Sequence, residues 1–192
     1  MTEFTEAAKG FTDIPIALLA LVIGILLIKK KEPAYMFFCI AFSAVLGAIV
    51  HSVSMPLLYV NLIWIFLYPL LYECIRRFAH VYISYIRKEK TKEKKPVLLI
   101  ELLFILINDS VVFADTKYDI LILMGFATIM IFRVAVCISK TKNVPKNAMI
   151  LLVLLPLPVI MQTLEGIVPY AVVIEHILIS ADMIYAYFIL KK

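Results

Sequence analysis

Glycine is scarce in this chain, five residues in 192, and the five are scattered. No glycine-rich phosphate loop and no GxSxG elbow can be built from them, so nucleotide-loop enzymes and α/β-hydrolases are excluded. The three cysteines, Cys39, Cys74 and Cys137, form no CxxC pair. All three fall in the cytoplasmic half of their spans in the topology below, where thiols stay reduced and serve as small apolar residues. No stretch alternates apolar and polar residues long enough for a transmembrane barrel. No basic run precedes the first apolar segment, so no cleaved leader is expected. The last apolar run has no lysine before Lys191, which excludes a retinal Schiff base within it.

What is abundant is apolar side chain. Hydrophobic residues make up 64% of the chain and charged residues only 17%, whereas soluble domains are about 45–50% apolar. The expected class is therefore an all-α polytopic membrane protein. The net charge of +5 does not point to nucleic acid. The lysines sit in short clusters between apolar runs, where they set orientation and meet lipid head groups.

Seven spans are expected, in one domain covering 1–192: roughly 11–28, 34–53, 56–75, 96–113, 119–138, 148–164 and 169–190. The run from Met55 to Ile86 exceeds the roughly 20 residues of one crossing, but no polar turn divides it near Pro69. It reads as one span with an amphipathic cytoplasmic extension carrying Glu73, Arg76, Arg77 and His80. The sixth span contains Pro156 and Pro158, which kink membrane helices. Lysines cluster at 29–31, 88–95, 140–146 and 191–192, all on one side of this arrangement. By the positive-inside rule the N-terminus is outside and the C-terminus inside. Abundant isoleucine and lysine suggest a bacterial plasma membrane.

Ionisable groups inside spans are expensive and mark candidate sites. The last span carries Glu175, His176, Ser180 and Asp182. Glu175 and Asp182 are seven apart and share a face, while His176 and Ser180 share the neighbouring one. In the second span Ser43, Gly47 and His51 follow at helical spacing, on a side rich in small residues that admits a close neighbour. Depth along the helices gathers His51, Asn61, Asn108, Asp109, Gln162, Glu165, Glu175 and His176 toward the outer ends. Toward the cytoplasm lie Glu73, Glu101, Arg133 and Asp182, with Arg133 expected to pair with Glu101 or Asp182.

His51 and His176 suit a zinc ion, which takes three protein ligands and a water in catalytic sites. The third ligand would be Glu165, Asp109 or Glu175, although Glu175 points about 100° away from its neighbour His176. The pattern G47-A-I-V-H51 near the end of the second span, with His176-I-L-I-Ser180 in the seventh, resembles the CREST superfamily of alkaline ceramidases and adiponectin receptors. That resemblance implies a seven-span, zinc-dependent hydrolase acting on a lipid amide or ester. In such proteins a serine stands where this chain has Gly47, a second histidine where it has Ser180, and an aspartate near Asn61. Three other readings stay open. One is a small-solute transporter or binding protein, for which the polar layer, the kinked sixth span and Gly125 would form a pocket. Another is a seven-helix sensor. The third is a hydrogen-bonded histidine pair that only fastens the second and seventh helices.

Overall fold

The computed structural model describes residues 2–89, 91, 95–114, 118–154, 156–164, 167 and 170–191. Every regular element among them is an α-helix: α1 (Thr2–Leu26), α2 (Lys31–Ser52), α3 (Leu57–Arg87), α4 (Lys95–Phe113), α5 (Asp119–Ser139), α6 (Lys146–Leu154), α7 (Pro156–Thr163) and α8 (Ala171–Leu190). Four of them, α2, α3, α5 and α8, are long and apolar enough to cross a membrane, and Gly10–Leu26 is a shorter apolar helix. Their lipid character is visible in what they leave uncovered. Leu18, Leu21, Val22 and Ile25 are exposed along one side of α1, as are Phe42, Val45 and Ile49 on α2 and Ile177, Ile184 and Phe188 on α8. Contiguous apolar surface of this kind is stable against hydrocarbon, not water.

The chain divides into two helical units, one made of Met1–Ser54 with Pro145–Lys192, the other of Met55–Val144. In the first, α1 is the central element, and both α2 and α8 pack on it. The interface is made by small side chains. Ala17, Ala20, Ala34, Ala41 and Ala44 are buried. A methyl group at Gly24 would lie 2.8 Å from the Phe38 ring, and one at Gly10 would collide with Ser52. In hydrocarbon such close backbone approach supplies the dispersion contact that apolar burial supplies in water. At the other end of the unit, Lys30 donates from Nζ to the carbonyl of Leu190 at 2.7 Å, a cation on the orphan carbonyls of a helix C-terminus. In the expected sixth span, helix is described as α6 up to Leu154 and as α7 from Pro156.

The second unit contains α3, α4 and α5. The long third run is a single helix that continues through Pro69. It stops where Lys88 turns left-handed at φ 56°. Lys88 N then bonds Tyr85 O and Glu89 N bonds Ser84 O, the paired closure of a Schellman end. Its core is aromatic: Tyr72 packs edge-on to Phe126 at 4.9 Å between centroids, and Phe104 lies 5.5 Å from Phe126. Toward the lysine-rich end, Arg76 Nε stands 2.5 Å from Glu101 Oε2, and Glu73 accepts from both Arg76 and Arg77. Arg76 and Glu101 are only 4% and 6% exposed, so this is a buried ion cluster. Glu101 thus takes Arg76 as its partner where sequence depth suggested Arg133; the Arg133 guanidinium instead meets Met130 Sδ at 3.1 Å. Arg76 stands one residue beyond the expected span, at the start of the part of α3 that continues to Arg87, and meets Glu101 of α4 there.

Removing one member of a buried pair strands the other, at a cost of about 3–5 kcal/mol. Arg76→Met should therefore lower the stability of the detergent-purified protein by about 3 kcal/mol or more, measured by denaturant titration. The double variant Arg76→Met/Glu101→Leu should be more stable than Arg76→Met alone. Additive losses in the two single variants would show that the pair is not coupled.

Candidate functional site

A carboxylate inside an apolar helix needs room and a partner. Asp13 lies three residues into the apolar run of α1 and has both. Its room comes from α2: a Cβ built on Gly47 would stand 2.8 Å from Asp13 Oδ2. The carboxylate lies against α2 where position 47 carries no side chain, and a Cβ there would oblige Asp13 to shift.

The partner comes from α8. His176 Nε2 is 3.5 Å from Asp13 Oδ1, and the two side chains are 14% and 13% exposed. That separation is an electrostatic contact rather than a full hydrogen bond. The other ring nitrogen, Nδ1, is in hydrogen-bond contact with the hydroxyl of Thr12. An ionised Asp13 favours the tautomer with hydrogen on Nε2, leaving Nδ1 to accept from Thr12. One imidazole is thus held between a carboxylate and a hydroxyl from successive residues of α1. Ser180, one turn along α8, donates to the carbonyl of His176 at 2.9 Å. It closes a local helix bond and does not extend the cluster.

His51 lies one turn beyond Gly47 on the same side of α2, half-buried near the helix end. The α2 end that carries it is therefore the one that seats Asp13. Ser43, the inner member of that line, is satisfied by the carbonyl of Cys39 at 2.9 Å. Glu175 and Asp182 are half-buried on α8. Asn61 and Asp109 belong to α3 and α4 of the other unit. Glu165 lies outside the described residues, and Gln162 is described only as part of α7.

Thr12 and Asp13 were not among the candidate site residues, which were drawn from the second and later spans. The signal was nonetheless present. The first span was placed from residue 11, so Asp13 was a carboxylate within a span, and an intramembrane acid calls for a named partner.

The zinc implied by the CREST resemblance can be tested against these donors. Among the described residues no three His, Cys, Asp or Glu side chains converge on a point that would hold a metal. Both nitrogens of His176 already face protein groups. The described residues bring Asp13 to His176 and show no third His, Cys, Asp or Glu grouped with them. The cluster suits proton transfer instead, with a base, an acid that orients it and a hydroxyl within reach. Comparison with family models, with curated proteins and with solved structures finds no match to this chain.

Proposed function

We propose that this chain is a seven-span integral membrane protein, N-terminus outside, that hydrolyses a lipid amide or ester at the outer end of its first helical unit. The observation that carries the reading is the imidazole of His176 set between the carboxylate of Asp13 and the hydroxyl of Thr12. The plan resembles the CREST hydrolases in placing histidines on the second and seventh spans, but assigns His176 the role of a base.

In this reading Thr12 Oγ attacks the carbonyl carbon and its proton passes to His176 Nδ1. The C–N or C–O bond breaks, and the departing amine or alcohol takes that proton. Water then attacks the acyl-threonine ester, giving one proton to His176, which returns it to Thr12 as the fatty acid leaves. Asp13 holds the ring in the tautomer that accepts at Nδ1 and stabilises the imidazolium. A general base of this kind contributes about 10²–10⁴-fold to rate.

The spans and their orientation rest on the lysine clusters of the sequence.

Two experiments test these assignments. In a cysteine-free background within intact cells, a membrane-impermeant maleimide should label Ser54→Cys and spare Lys140→Cys; the reverse pattern would invert the topology. Purified protein in nanodiscs should release fatty acid from an acyl-amide or acyl-ester lipid. Thr12→Ala, His176→Ala and Asp13→Asn should each slow release by about a hundredfold or more, while a zinc chelator leaves the wild type unchanged. Full activity in Thr12→Ala would remove the base–hydroxyl mechanism, and loss of activity with chelator would restore the metal.

A further inference from the structure

The second unit holds a different kind of polar site. Asn108 is fully buried, at 0% exposure, and Tyr72 likewise. Yet Tyr72 Oη, Asn108 Oδ1, Asn108 Nδ2 and Asp109 Oδ1 have no hydrogen-bond partner. Four orphaned polar atoms within one three-helix unit are costly. Each unsatisfied group costs about 1–3 kcal/mol, and hydrocarbon offers no water in exchange.

Their setting shows what would answer them. Tyr68 and Tyr72 are one turn apart on α3, Phe104 and Asn108 one turn apart on α4. The rings of Tyr72, Phe104 and Phe126 pack together, and the Tyr68 hydroxyl donates to Asp119 Oδ2 at 2.6 Å. Asp109 follows Asn108 on α4, and Asp119, which accepts from Tyr68, opens α5. Among the described residues neither carboxylate is paired with a lysine or arginine. The place therefore combines two negative charges, aromatic faces, free acceptors and one free amide donor. Carboxylates with aromatic faces select a cation, and the Asn108 amide N–H requires an acceptor on the same occupant.

We infer that the α3–α4–α5 unit binds a small protonated amine that also carries an oxygen acceptor, as an amino alcohol does. The ammonium is held by Asp109, Asn108 Oδ1 and Tyr72 Oη, and the ligand oxygen takes the Asn108 amide hydrogen. The inference is independent of the hydrolase reading, since it uses none of the residues of the Thr12–Asp13–His176 cluster.

The chain reports on this site itself. Trp64 is its one tryptophan, and its ring stacks on Tyr68 at 5.2 Å. Full-length protein in detergent, titrated with ethanolamine, should show a saturable change in Trp64 fluorescence and a rise in melting temperature. Ethylamine, which lacks the oxygen, should bind more weakly, and ethylene glycol, which lacks the charge, should not bind. Asp109→Asn removes a charge-assisted bond of about 1.5–3 kcal/mol and should weaken ethanolamine by about tenfold or more. Tyr72→Phe, which removes one oxygen and keeps the ring, should also weaken it and serves where Asp109→Asn does not fold. No response to ethanolamine, an equal response to ethylene glycol, or unchanged binding in Tyr72→Phe would overturn the assignment. A response to sodium ions alone would replace the amine with an inorganic cation and overturn it too.

Discussion

A polar group inside hydrocarbon has no water to fall back on, and each feature of this molecule follows from how that constraint is met. Helices meet it for the backbone, and the described elements are all helical. Side chains meet it in three distinct ways. Arg76 is surrounded by Glu73 and Glu101, a closed ion cluster whose charges answer one another. Asp13 is met by an imidazole, a partner that can exchange protons. Asn108 and Tyr72 keep buried polar atoms without partners inside the protein. The first arrangement holds a fold together, the second can do chemistry, and the third is completed from outside the chain.

The same constraint explains what the sequence could show. Apolar run length and the side on which lysines fall are properties of single segments, so helices could be read from the chain directly. The third run, Met55 to Ile86, was recognised as one helix because no polar turn interrupts it, and α3 spans Leu57–Arg87. The small-residue side of the second span was likewise legible, and α1 packs there. Pairings were not legible, because they depend on rotation and depth of two helices together. Arg76 was assigned to an amphipathic extension, and its reach to Glu101 emerges only when α3 and α4 pack.

Position 47 shows the limit most clearly. Against the CREST pattern Gly47 looked like the loss of a serine, a mark of decay. In the folded unit it is the space into which Asp13 fits. A motif comparison scores one position at a time, whereas the physical quantity here is a volume shared by two helices.

The bond from Lys30 to the carbonyl of Leu190 carries a consequence for how the protein is made. The first unit is assembled from the two ends of the chain, and the whole of Met55–Val144 lies between them. The α1–α2 hairpin is made before α8, and the His176 imidazole joins Asp13 only once α8 is synthesised. The contacts of α1 with α8 therefore close only after Met55–Val144 has been made.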